Sequence, residues 1–132
     1  MFANLEIFRM SQAMAVHAGQ KQAVTAQNVA NADTPEYKAR DVVAFSNAYQ
    51  AAESSLAWES QKSSRSSHIN GASSERMLEP IIDEDGVGSP NGNTVSLENE
   101  MLKSLDAKRQ HDRALAIYKS SMNIIRSSLS RS

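Results

Sequence analysis

The chain contains no cysteine, so disulfides, thiolate metal centres and a cysteine nucleophile are excluded. Large aromatics are scarce: one Trp, three Tyr and three Phe among 132 residues. Aromatic rings bury the most surface per residue, so a globule built from this chain has few anchors and a thin core. That weighs against a compact enzyme. The net charge of -1 supplies no strong field for nucleic acid, anionic lipid or a highly charged substrate. No apolar run reaches the roughly 20 residues needed to span a membrane. The opening residues Met1-Phe2-Ala3-Asn4-Leu5-Glu6 lack the basic region and apolar run of a cleavable secretion signal. The expectation is a soluble chain that, if it leaves the cytosol, does so without signal cleavage.

What is present is helix. The length suits one modest domain, and three segments differ in character: 1–34, 35–95 and 96–132. The first has no proline and only Gly19, and is rich in Ala, Met, Gln, Lys and Leu, all good helix formers. Ala3, Ile7, Met10, Met14, His17, Lys21, Val24, Asn28 and Asn31 recur at spacings of four and three, a nearly straight stripe along a helix. The stripe is apolar at first and, apart from Val24, polar after Met14. Phe2, Leu5 and Phe8 widen its apolar end. Asp33-Thr34-Pro35 ends the helix, because proline disfavours helical geometry in the residue before it.

The last segment has neither Gly nor Pro. Ser96 reads as an N-cap, and Glu98 and Glu100 place negative charge in the positive first turn. Read as heptads, Met101/Ser104, Lys108/His111, Leu115/Tyr118, Met122/Ile125 and Leu129 share one seam, with Leu97 before it and Leu105 alongside. Between the two helices, residues 41–52 suggest a short helix presenting Val42, Phe45, Tyr49 and Ala52. Residues 54–74 are dominated by serine, and such a stretch cannot by itself offset its ordering entropy. Met77 to Ile82 reads as extended. Asp83-Glu84-Asp85-Gly86 and Ser89-Pro90-Asn91-Gly92 read as turns.

Catalytic and metal chemistry find no support. His17 and His111 fall on the helical seams and His68 in the serine-rich stretch, none with a second ligand at helical metal spacing. There is no Gly-x-Ser-x-Gly turn and no phosphate-cradling glycine loop. The acidic turn at 83–86 lacks the alternating ligands of a calcium loop, since Ile81 stands where the first would be. No cofactor, metal or small-molecule substrate is expected, and no nucleic acid. Met10, Met14, Met101 and Met122 lie on the seams, where methionine fills a core or adapts to irregular neighbours.

The most distinctive string is Asn28-Val29-Ala30-Asn31-Ala32-Asp33-Thr34-Pro35-Glu36-Tyr37-Lys38-Ala39-Arg40-Asp41. It is a helix end, a stop and an extended departure, with Asn side chains able to bond open backbone groups or a neighbouring chain. It resembles the signature of the flagellar rod and hook family, Asn-Asn-Ile-Ala-Asn-Ala-x-Thr-Pro-Gly-Tyr. Asn28, Ala30, Asn31, Thr34, Pro35 and Tyr37 match it, while Gln27, Val29 and Glu36 depart from it. Glycine after the proline permits the positive φ of a type II turn, so Glu36 suggests a type I or open turn instead. Tyr37-Lys38-Ala39-Arg40-Asp41-Val42, Ser67-His68-Ile69 and Asn91-Gly92-Asn93-Thr94-Val95-Ser96-Leu97-Glu98-Asn99-Glu100-Met101 are similar to the proximal-rod branch of that family.

The resemblance implies a non-enzymatic subunit of the flagellar basal-body rod, linking the membrane ring to the distal rod and carrying torque. It also implies export by the flagellar type III apparatus as a loosely folded chain, then assembly in the periplasm. Implied partners are copies of itself, the rod protein FlgC, the adaptor FliE and the ring protein FliF. Another rod protein, FlgC-like, is the nearest alternative; a cytosolic coiled-coil adaptor or export chaperone is the alternative from another class. The expected fold is mainly α: long terminal helices paired as an antiparallel, coiled-coil-like hairpin around an irregular middle that can include a short β-hairpin. Residues expected to pack helices or subunits are Phe2, Leu5, Ile7, Phe8, Met10, Met14, Val24, Leu97, Met101, Leu105, Leu115, Tyr118, Met122, Ile125 and Leu129.

Overall fold

The computed structural model describes residues 2–51, 79–83 and 88–130, with side chains from residue 6 onward. The serine-rich stretch with Ser67-His68-Ile69, Ala52, Met77, the acidic turn beyond Asp83, and the side chains of Phe2 and Leu5 lie outside these residues. Helix α1 spans Phe2–Ala30, strand β1 Arg40–Asp41, a short helix α2 residues 45–51, strand β2 Ile81–Ile82, and helix α3 Leu97–Leu129. Asp41, read as the start of the short helix, is instead in a strand: its backbone pairs with Ile81, antiparallel, while Arg40 pairs with Ile82. A long connection joins the two strands, so the pairing is between distant segments and not across a tight turn. Among the described residues no helix is long and apolar enough to cross a membrane.

Helices α1 and α3 pack against each other along much of their length. They run antiparallel: the Phe8 and Tyr118 rings meet edge to face at 5.2 Å near one end, and Asn28 reaches Glu100 at the other. At 33 residues, α3 is about 50 Å long. The centre of the interface consists of small side chains at heptad spacing. Ser11, Ala18 and Thr25 are buried on α1; Ala107, Ala114 and Ser121, preceded by Glu100, are buried on α3.

This displaces the expected α3 seam by one residue, a rotation of about 100°. Met101 and Leu129, read as seam residues, are 71% and 69% exposed, and Leu97, Leu105, Leu115 and Tyr118 also lie well open to solvent. Lys108 is exposed too, whereas Ser104, His111, Met122 and Ile125 are half-buried flanks of the seam. The physical reason is the size of the side chains. Small residues let two helices approach closely, so the row of Ala and Ser turns inward and the large apolar row turns out. On α1 the stripe is nearer to expectation: His17, Val24 and Asn28 are buried, Ile7, Phe8, Met14 and Lys21 half-buried, and Met10 exposed.

The polar second half of the α1 stripe also has a structural cause. After Pro35 the chain turns back along α1, so that Asn28 meets Arg40, Lys21 meets Asp41, and His17 meets Val43 and Phe45. These side chains face a returning backbone whose amides and carbonyls need partners. Ala39 and Val42 are buried in this layer. Among the described residues, the buried apolar side chains are four alanines and two valines, the thin core that the scarcity of aromatics implied.

Candidate functional site

At the end of the hairpin where α1 stops and α3 starts, two sequence motifs separated by more than fifty residues interlock. Helix α1 ends with the Asn31 amide bonded to the Gln27 and Asn28 carbonyls, and the Asn31 side-chain Nδ2 donating to Gln27 O at 2.8 Å. The chain then turns at Thr34-Pro35-Glu36-Tyr37, where the Tyr37 amide donates to Thr34 O. Glu36 has φ 61°. With Pro35 second and a positive φ third, this is the pattern of a type II turn. The expectation of a type I or open turn is therefore corrected. Neighbouring contacts hold Glu36 in the left-handed region that the absent glycine would enter freely: its amide donates to Asn91 O at 3.1 Å.

The second motif supplies the cap. Pro90 and Asn91 form the expected turn, with the Gly92 amide donating to Ser89 O and Gly92 at φ 79°. That conformation presents Asn93, 2% exposed, to the end of α1. Asn93 Nδ2 points at three carbonyls, those of Asn31, Ala32 and Thr34, at 2.9, 2.9 and 2.7 Å. Its Oδ1 accepts from the Val95 amide at 2.8 Å. The orphan carbonyls of a helix C-terminus are thus satisfied by a residue from the far end of the chain. Thr94 continues the zip, its amide donating to Tyr37 O and its hydroxyl accepting from the Ala39 amide.

Asn28 is fully buried and uses both halves of its amide. Nδ2 donates to Arg40 O at 2.7 Å and to Glu100 Oε2 at 3.1 Å; Oδ1 accepts from the Arg40 amide at 3.0 Å and from the Tyr37 hydroxyl at 3.2 Å. Glu100, buried in the first turns of α3, has its other oxygen 3.5 Å from Lys103 Nζ. Lys103 also bridges Asp83 at 2.7 Å and Asp41 at 3.1 Å, tying α3 to β1 and to the residue that follows β2. Burial works against its charge, but the hydrogen bonds to Asp83 and Asp41, with the Asp41 and Glu100 charges, outweigh that and hold the ammonium above the usual lysine range.

The motif residues read from the sequence therefore converge: Asn28, Asn31, Thr34, Pro35, Tyr37, Arg40, Asp41, Gly92 and Asn93 all lie in or beside this knot, with Ala30 exposed at the helix end. Sequence reasoning missed the roles of Glu100 and Lys103. Their spacing of three puts both on one helix face, which is the signal that was available. Ser96 occupies the N-cap position as expected, although its side chain makes no capping hydrogen bond. The bonds join backbone groups, neutral polar side chains and one lysine–carboxylate cluster across segments distant in sequence, so the arrangement is suited to holding segments together. It presents no nucleophile–base pair aimed at a cleft.

A family model described as flagella basal body rod protein matches residues 12–38, which run from within α1 through its end and the turn that follows. Over 120 residues the chain is 30% identical to the flagellar basal body rod protein FlgB of Agrobacterium fabrum strain C58, covering 88% of this chain and 87% of that protein. The chain belongs to the FlgB family of flagellar basal body rod proteins. In this rod protein the family match ends at Lys38, whereas Asn28 has partners outside it at Arg40 and Glu100, and the Tyr37 carbonyl accepts from the Thr94 amide, also outside it. The rod-protein motif is one half of a lock whose other half is the stretch around Asn93.

Proposed function

We propose that this chain is a structural subunit of the proximal rod, linking the ring in the inner membrane to the distal rod and passing torque between them. The observation that carries this reading is the inverted seam of α3. Leu97, Met101, Leu102, Leu105, Leu115 and Leu129 face outward from a hairpin whose own interface uses alanine and serine. A row of large apolar side chains that the subunit leaves uncovered is suited to burial against neighbours. Residues 1–34 and 96–132 then act as paired axial helices of one unit, with 35–95 bracing one end. The neighbours on this reading are copies of the chain itself, FlgC, FliE and the FliF ring. Delivery is by the flagellar type III export apparatus without signal cleavage, and assembly is periplasmic. The work is stiffness and register, with no catalysis and no cofactor.

The absence of native cysteine makes a direct test simple. Single cysteines at Met101, Leu105 and Leu115, labelled with a short photocrosslinker in isolated basal bodies, are expected to give adducts with rod or ring proteins. Cysteines at the exposed polar positions Asp106 and Arg109 serve as comparison. Adducts no more frequent at the apolar positions than at the polar ones would remove the basis of this reading. The apolar cluster Phe2, Leu5, Ile7 and Phe8 gives a second handle: deletion of residues 1–8 is expected to abolish motility, with secretion and assembly assayed separately.

A further inference from the structure

Two asparagines in the chain precede glycine, Asn70 and Asn91. At such pairs an asparagine side chain cyclises most readily, because glycine leaves its own amide nitrogen unhindered and its backbone free to turn. The Gly92 nitrogen loses its proton to base and bonds to Asn91 Cγ, and the Asn91 side-chain nitrogen leaves as ammonia. Water then opens the resulting imide at either carbonyl, giving aspartate or isoaspartate. Asn70 lies outside the described residues, but the surroundings of Asn91 are defined. Its side chain is exposed, so burial does not shield it. Its hydrogen bonds do. The attacking Gly92 amide donates to Ser89 O at 2.8 Å, and the Ser89 amide donates to Asn93 O at 2.7 Å. Asn91 Oδ1 accepts from the Asn93 amide at 3.1 Å, and Asn91 O accepts from the Glu36 amide at 3.1 Å. An imide nitrogen carries no hydrogen, so cyclisation breaks the Gly92 bond outright.

We propose that Asn91 is a modification site gated by the lock at the end of α1: it deamidates through the imide while the chain is open and is protected once Asn93 has seated. The gate works in both directions. Isoaspartate routes the main chain through Cβ and Cγ, adding one carbon–carbon bond of about 1.5 Å between Asn91 and Gly92. It also turns the carbonyl that accepts from Glu36 into a free carboxylate. Gly92 has little room for that displacement, since its missing β-carbon would already stand 3.5 Å from Glu36 Cα. Asn93, next in the chain, has its Nδ2 within 2.9 Å of three carbonyls, so a displaced backbone carries it off its cap. An open chain therefore has a limited time in which to close, after which the isoaspartyl form no longer closes. This inference stands on the lock itself and not on the assembly proposed above.

The test uses full-length chain with Asn70→Gln in every arm, which removes the other Asn-Gly pair. Conversion at Asn91 is followed at 37 °C and mildly alkaline pH by tandem mass spectrometry of the tryptic peptide from Met77 to Lys103. Conversion in native buffer is expected to be at least tenfold slower than in guanidinium chloride. Asn93→Ala, which empties the cap and keeps the Asn-Gly pair, is expected to raise the native-buffer rate at least fivefold. Chain aged in denaturant until isoaspartate predominates is then refolded beside Asn91→Asp aged in the same way, which carries the same charge on a normal backbone. The Asn91→Asp chain is expected to regain the parent's denaturant midpoint and the isoaspartyl chain to fall short of it. Equal conversion in the two solvents, no acceleration in Asn93→Ala, or an isoaspartyl chain with the parent's midpoint would each overturn the proposal.

Discussion

Gly92 lies against Glu36 so that a β-carbon on Gly92 would stand 3.5 Å from Glu36 Cα and 3.5 Å from its Cγ. Both residues have positive φ, and each belongs to a turn that delivers one half of the lock. The two turns thus meet at their tightest points, one built around the residue best suited to that conformation and the other around a residue poorly suited to it.

Glu36→Gly is therefore expected to stabilise the chain, and Gly92→Ala to destabilise it, each by about 1 kcal/mol. Left-handed backbone costs an ordinary residue about 1–2 kcal/mol, partly offset at Glu36 by the extra freedom glycine brings to the unfolded chain. The added methyl at Gly92 makes only ordinary contacts, so strain at φ 79° carries the effect. Urea titrations of helicity on the three proteins check both signs.

Asn93 offers a sharper contrast. Asn93→Ala removes the donor shared by three carbonyls at the end of α1 and is expected to cost about 2–3 kcal/mol. Asn93→Asp is nearly isosteric yet is expected to be worse, because it places a carboxylate against those same carbonyls. An Asp variant as stable as the parent would show that the amide donor is not what holds the turn. Thermal unfolding of the two variants beside the parent decides it.

Lys103 has a definite pH signature. Its folded pKa is raised, so its contribution to stability is fully present below the unfolded value of about 10.4 and is lost as pH rises through the higher folded value. The stability difference between the parent and Lys103→Met is therefore expected to stay constant between about pH 7 and 10 and to shrink only in stronger alkali. Denaturant midpoints measured across that range, at matched ionic strength, test the direction.

Adjacent positions on α3 separate folding from assembly. Ala114 is 1% exposed at the centre of the hairpin, whereas Leu115 is 41% exposed on the outer row. Ala114→Asp buries an unpaired carboxylate, costing several kcal/mol, and is expected to melt the helix pair. Leu115→Asp is expected to leave the subunit helical while preventing rod assembly. Ser127→Asp is expected to be tolerated, since Ser127 is exposed and its hydroxyl bonds only the Ile124 carbonyl of its own helix. Circular dichroism of the purified chains and imaging of basal bodies distinguish the three.

Much was legible from the chain itself. Two long helices at opposite ends, the stop at Pro35, the turn at Ser89 to Gly92 and the N-cap position at Ser96 follow from local rules of propensity, proline sterics and turn chemistry. So did the motif residues from Asn28 to Asp41, because they form one contiguous string. Tertiary structure decided what local rules do not constrain. Which row of α3 faces α1 depends on how closely two helices approach, and the small row won although the larger row is more hydrophobic. Glu36 adopts a left-handed conformation because the stretch around Asn91 holds it there. Asn93 caps a helix sixty residues away, and Glu100 and Lys103 become partners of Asn28, Asp41 and Asp83 only once the hairpin closes. Local preference is written in neighbouring residues, whereas satisfaction of buried polar groups depends on which distant segments meet, and that is settled by packing.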